Sequence, residues 1–111
     1  MSRLVNPSFI RITAPEQGQL LEAIKVGAWP QGTTPGSHPN DPIAVVEVVP
    51  TDEAGDSCHA TLATLLPLLP DGVEVDIWVA GVNEGVQGPW VKGDDTVVAA
   101  ATPNITVADV Q

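Results

Sequence analysis

Proline and glycine interrupt this chain at short intervals along its whole length. Eleven prolines and ten glycines are spread over 111 residues. They leave few uninterrupted stretches in which a long helix could form. Between them the chain shows short segments in which apolar and polar side chains alternate, the pattern of a half-buried β-strand. The sequence therefore predicts an all-β protein.

The alternating segments predict about seven short strands separated by turns, as in a β-sandwich. The clearest are residues 9–13, 20–29, 43–49, 58–66, 73–82 and 96–102. The alternation falters at Gly27-Ala28, which predicts a β-bulge, and a helix competes for residues 16–25 because Glu, Gln, Ala and Leu are good helix formers. Residues 29–42 contain four prolines and predict a long exposed loop. The β-branched residues 43–49 predict a well-buried strand, and residues 50–57 predict an acidic turn.

The segment 73–82 predicts which side chains enter the core. Val75, Ile77 and Val79 alternate with Asp76 and Trp78, and successive side chains of a strand point to opposite faces. If the valines and isoleucine face inward, Ile77→Ala should cost about 2–5 kcal/mol. Asp76→Ala should change stability little, because Asp76 would lie on the outer face.

Length and composition predict one domain with a short tail. A chain of 111 residues, 43% of them hydrophobic, has room for one core and not for two. We assign residues 1–102 to the sandwich and 103–111 to a C-terminal tail. In the tail Ile105 and Val107 alternate with Thr106 and Ala108, so it could add an edge strand to this copy or to a neighbouring one. The alternative is a frayed terminus.

The charge of the chain narrows the classes of partner. Fourteen acidic residues stand against four basic ones, for a net charge of −10. Binding to phosphate groups needs clustered Lys and Arg, which argues against nucleic acid or an anionic membrane as partner. The charge favours solubility, and it makes copies of the chain repel one another at low salt.

Residues 60–102 carry a series of recognisable motifs. In order these are Leu62 in an alternating strand, Leu68-Leu69-Pro70 at a corner, the alternating strand 75–83, and Gly85-Val86-Gln87-Gly88-Pro89 as a hairpin. The series resembles the second half of a fibronectin type III domain. The resemblance implies an immunoglobulin-like sandwich of about seven strands. Val75 stands where that family usually has its corner tyrosine, and another immunoglobulin-like topology is the alternative.

Residue types suited to catalysis or metal binding are few. Cys58 and His59 are adjacent on a predicted strand, so their side chains point to opposite faces and do not form a dyad; we expect Cys58 in the core. His38 lies alone in the proline-rich loop. The acidic residues of 50–57 lack the spacing of a calcium loop. The sequence thus predicts no catalytic, metal or cofactor site, and a protein that is not an enzyme.

Three tryptophans are the candidate interface residues, together with Ile105 and Val107 of the tail. Trp78 is predicted on the outer face of its strand, where an exposed indole could anchor a partner; the alternative is cover by a neighbouring strand or by the tail. Trp29 and Trp90 are the other two candidates.

Two functions are consistent with these patterns. The first is a structural, assembling component of a virion, such as a phage decoration, collar or tail protein, whose partners are copies of itself or a particle lattice. The second is a recognition module that binds a glycan or a protein through its loops, especially residues 29–42. We expect synthesis in a cytoplasm, because no apolar run at the N-terminus is long enough for a signal peptide, and release inside a particle or by lysis.

Overall fold

The computed structural model describes residues 3–13, 22–35, 42–54, 57–100 and 109–110. This part of the chain is all-β, as the sequence predicts. Its strands are β1 (Arg3–Val5), β2 (Phe9–Thr13), β3 (Ala23–Pro30), β4 (Ala44–Val48), β5 (Thr51–Ala54), β6 (Ser57–Thr61), β7 (Glu74–Asn83), β8 (Val86–Gln87) and β9 (Val91–Val98). A 3₁₀ turn, Leu66–Leu68, makes the predicted corner. No helix among these residues has the length and apolar character needed to cross a membrane.

The strands form two sheets. The first sheet has six strands in the order β1-β9-β7-β3-β4, with β8 paired to the end of β7. The second sheet has the order β2-β6-β5. Pairing is antiparallel throughout the described strands except between β1 and β9, which are parallel. This arrangement is compatible with a β-sandwich.

Alternate residues of both sheets meet in one core. The core includes Ile24, Val26 and Ala28 of β3, Val75, Ile77 and Val79 of β7, and Cys58 and Ala60 of β6. The inward facing predicted for Val75, Ile77 and Val79 is confirmed, as is the burial of Cys58. The side-chain period of two in each strand is enough to produce this core.

The turn between β7 and β8 differs in detail from the sequence-based expectation. Glu84 and Gly85 have φ angles of 50° and 77°, the two positive values that a type I′ hairpin turn requires. The motif series placed the hairpin at Gly85 to Pro89, so the turn begins one residue earlier than predicted. Asn83 stays in the strand, where its Oδ1 accepts a hydrogen bond from the Glu22 amide at 2.8 Å.

The predicted β-bulge at Gly27-Ala28 is wrong, because β3 pairs with β7 without a register shift from Ala23 to Pro30. The irregularity lies in β9. There Thr96 is opposite Asp76 and Lys92 is opposite Trp78, so β9 contains extra residues between the two pairs. Strand β9 also begins earlier than predicted, at Val91. A bulge of this kind bends its strand and increases the local twist.

Three further predictions are corrected, two on the bounds of elements and one on the burial of a strand. Strand β3 runs through Trp29 and Pro30, so the predicted loop 29–42 starts too early. Strand β4 is an edge strand whose Val45 is exposed, because β4 pairs only with β3 among the described strands. Most of the predicted acidic turn is strand, namely β5 and the start of β6. The helix proposed as an alternative for 16–25 lies partly outside the described residues, and Ala23 to Lys25 are strand.

Candidate functional site

The three candidate tryptophans come together on the outer face of the first sheet. The ring centroids of Trp29 and Trp78 are 6.5 Å apart, and those of Trp29 and Trp90 are 5.0 Å apart, both in edge-to-face geometry. Such pairs stabilise beyond the area that they bury. Trp29 is only 2% exposed, while Trp78 and Trp90 are partly buried. We call these three residues the tryptophan cluster.

Gly27 explains why Trp29 is buried on a face that the alternation assigns to solvent. The Trp29 ring lies over Gly27, two residues earlier on the same face of β3, and a Cβ at position 27 would collide with that ring. The same Cβ would lie 3.2 Å from Val45 Cγ2 of the neighbouring strand. Glycine therefore provides the space into which the indole folds back onto its own sheet.

Asp76 lies beside the tryptophan cluster and is 3% exposed. Its Oδ2 accepts a hydrogen bond from the Gly32 amide at 3.0 Å and lies 3.7 Å from Lys92 Nζ. A buried carboxylate is tolerated when it is paired and hydrogen-bonded in this way. The expectation that Asp76 sits on an exposed outer face is therefore wrong: the turn after β3 and the Lys92 side chain of β9 cover it.

The five candidate interface residues thus fall into two groups. Trp29, Trp78 and Trp90 form one cluster, of which only Trp78 and Trp90 retain exposed surface. Ile105 and Val107 lie outside the described residues. Their role in an interface stays a prediction.

The described part of the molecule also has an opening that the sequence did not predict. A cavity of about 750 Å³ lies between β2 of the second sheet and β9 of the first, above the core face of β7. Its apolar lining includes Leu4, Phe9, Ile10, Ile12, Ile77, Val79, Val91 and Val97. We call it the β2–β9 groove.

Exposed apolar side chains mark the rim of this groove. Phe9 is 53% exposed and Val91 is 59% exposed. At the bulge of β9, a Cβ on Gly93 would lie 3.1 Å from the Ile77 carbonyl oxygen and 3.2 Å from Ile10 Cδ1. Glycine at position 93 therefore leaves room for the Ile10 side chain of β2 and for the backbone of β7.

The groove also presents unpaired strand edge. Strand β2 is the terminal strand of the second sheet as described. The Leu62 amide donates to the Ser8 carbonyl at 2.9 Å, and Ser8 and Leu62 continue the register in which Ile10 is opposite Ala60. Antiparallel pairs alternate between bonded and non-bonded. The backbone groups of Phe9, Arg11 and Thr13 therefore point away from β6, toward the open edge.

Charges of both signs line the groove. Arg11 and Lys92 stand on it with Asp94 and Asp95. These are two of the four basic residues of a chain whose net charge is −10. The Lys92 ammonium, however, is held 3.7 Å from Asp76 Oδ2 on the outer face of the first sheet, so among these four residues Arg11 is left to offset Asp94 and Asp95.

The reactive side chains of β6 lie apart, as the alternation requires. Cys58 is in the core, while His59 packs on the outer face against Phe9, with ring centroids 6.2 Å apart. Across the described ranges, no three side chains of His, Cys, Asp or Glu converge as metal ligands would.

Comparison with known proteins adds no family to these observations. No protein-family model, no curated protein and no solved structure matches the chain.

Proposed function

We propose that this chain is a non-enzymatic structural protein that assembles with copies of itself or with a particle lattice, as a virion decoration, collar or tail protein does. The observation that carries the proposal is the β2–β9 groove, which combines exposed apolar side chains with an unpaired strand edge. Both features are typical of surfaces that bind protein.

The sheet order supports a fibronectin type III-like sandwich. Immunoglobulin-like sandwiches place strands B, E and D in one sheet and C, F and G in the other. Here β2, β6 and β5 form one sheet, while β3, β7 and β9 are neighbours in the other. The two arrangements coincide when β2 is counted as strand B. A fold alone does not determine function, so the proposal depends on the groove and on the edge of β2.

The edge of β2 has little of the protection that sheet edges usually carry. Natural edge strands are commonly blocked by Lys, Pro or a bulge. Strand β2, with the sequence Phe-Ile-Arg-Ile-Thr, contains one charged residue, Arg11, and no proline. An edge of this composition suits pairing with another chain.

Recognition of a glycan or a protein through residues 29–42 is the second candidate. Trp29, the one tryptophan of that stretch, is buried beneath Trp78 and Trp90 and has almost no surface to offer a ligand. Assembly through the groove is favoured for that reason.

Sedimentation velocity of the purified protein at roughly 0.02 M and 0.15 M salt tests the assembly. We expect a defined oligomer that tightens at the higher salt, because the Debye length falls to about 8 Å at 0.15 M and the −10 charge is then screened. Monomers at both salt concentrations, up to the highest soluble protein concentration, would overturn self-assembly.

The virion setting needs a separate test. If the protein is a particle component, it should co-purify with intact particles of its source through a density gradient and be identified there by mass spectrometry. Its gene should also lie beside capsid or tail genes. A protein found only in the soluble fraction, away from the particles, would contradict this setting.

A further inference from the structure

In the tail of this chain apolar and polar side chains alternate, as they would in a strand with one face packed on the apolar β2–β9 groove. Within residues 103–111, Ile105 and Val107 alternate with Thr106 and Ala108. In an extended strand, Ile105 and Val107 point to the same side. A strand laid along β2 would direct both of them onto the apolar side chains of the groove.

The backbone of β2 can accept such a strand. Phe9, Arg11 and Thr13 direct their amides and carbonyls toward the open edge, as the register with β6 requires. A strand added there satisfies these groups in the manner of β-augmentation, in which main-chain hydrogen bonds hold the segment and side-chain pockets select it.

The length and the charge of residues 103–111 are also suited to pairing with β2 of a second copy. Strand β2 has five residues, about 17 Å, and a nine-residue extended segment covers roughly 30 Å. The segment carries a single charged side chain, Asp109. It therefore avoids most of the repulsion that other parts of this acidic chain would meet at the surface of a second copy.

The two described residues of the tail favour a second copy as the recipient. Asp109 and Val110 are exposed, Val110 fully, and neither lines the groove of its own chain. Ala100, the last described residue before the tail, lies near one end of the groove: its amide donates to Asn6 Oδ1 at 3.0 Å, and Asn6 precedes the groove residue Pro7. Reciprocal exchange around a two-fold axis would place the tail of each copy at the groove of the other.

We infer that residues 103–111 of one copy add as a strand to the β2 edge of a second copy, with Ile105 and Val107 seated in the β2–β9 groove. This inference deepens the proposed self-assembly and rests on it. It assigns the donor segment and the acceptor site, which the proposed function leaves open.

Two full-length variants separate the donor from the acceptor. Ile105→Asp combined with Val107→Asp gives a tail-defective chain with an intact groove. Val91→Asp gives a groove-defective chain with an intact tail, since Val91 is 59% exposed on the rim. Val86→Asp is the matched control, because Val86 is 71% exposed in the β7–β8 hairpin and does not line the groove.

In sedimentation velocity, we expect the oligomer of each defective variant to dissociate below a protein concentration at least tenfold higher than the one at which the wild-type oligomer dissociates. Val86→Asp should behave as the wild type. An equimolar mixture of the two defective variants should associate more tightly than either alone, because it restores one intact tail with one intact groove. Circular dichroism should show the wild-type β spectrum for every variant.

The outcomes distinguish this inference from the proposed function. If the wild type associates and either defective variant associates equally well, another surface is used: the tail–groove contact is wrong and self-assembly stands. A mixture no tighter than its components also overturns the exchange. If the wild type is monomeric under all conditions, both ideas fail, and protection of the tail from proteolysis in that monomer would indicate docking into its own groove.

Discussion

The tryptophan cluster and the β2–β9 groove are two apolar regions at the periphery of the same fold. They differ in exposure to solvent. In the cluster, Trp29 folds over Gly27 and is covered by Trp78 and Trp90. In the groove, the residues at the rim are Phe9 and Val91, and both are more than half exposed.

The difference lies in side-chain size and in strand pairing. An indole is large enough to reach across two strands of one sheet and to cover its neighbours. The wall of the groove contains Gly93, which has no side chain to cover its neighbours, and Val91, which is itself 59% exposed. The cluster is also backed by fully paired strands, whereas β2 has no partner on its groove side among the described strands. Apolar surface is therefore available to a partner where the fold cannot cover it, and not where the largest apolar residues lie.

The largest expected effect is the removal of the central indole of the cluster. Trp29→Ala should lower the free energy of unfolding by about 3–5 kcal/mol, the usual cost of emptying a buried tryptophan site. Urea denaturation followed by circular dichroism measures it. Trp90→Ala is the matched control and should cost less, because Trp90 is partly exposed. A cost below about 1 kcal/mol for Trp29→Ala would mean that the cluster does not pack as described.

The buried carboxylate beside the cluster gives an intermediate effect. Asp76→Ala should cost about 1–3 kcal/mol, since it leaves the Gly32 amide without its acceptor and Lys92 without its ion pair. Asp94→Ala, at an exposed position of β9, should change stability by no more than about 0.5 kcal/mol. Equal costs for the two aspartates would show that Asp76 is not buried.

The smallest effect on stability is expected at the groove. Val91→Asp should change the free energy of unfolding of the monomer by at most about 0.5 kcal/mol, as is usual for exposed positions. Urea titration at a protein concentration where all chains are monomeric measures it. A loss of several kcal/mol would mean that Val91 belongs to the closed core, and the contrast between groove and cluster would disappear.

Much of the fold could be predicted from alternation alone. The positions of β2 and β7, the start of β6, the inward facing of Ile77 and the burial of Cys58 follow from a side-chain period of two, which is a local property of the chain. The predicted strand 58–66 extends too far, because β6 ends at Thr61 and a 3₁₀ turn follows at Leu66–Leu68. Two of the outcomes that the sequence did not predict depend on contacts between distant segments. The burial of Asp76 depends on Gly32 and Lys92, and that of Trp29 depends on Gly27 and on strands far along the sequence.

The candidate site divides in the same way. The sequence by itself determined the all-β class, the inward residues of β7 and the alternation of Ile105 and Val107, because each of these depends only on residues that are close together in the sequence. Only the tertiary structure decided that the tryptophans cover one another, that β1 pairs in parallel with β9, and that β2 has an open edge above an apolar groove. These outcomes depend on which strands become neighbours, and strand order is set by the packing of the whole chain and by no local pattern.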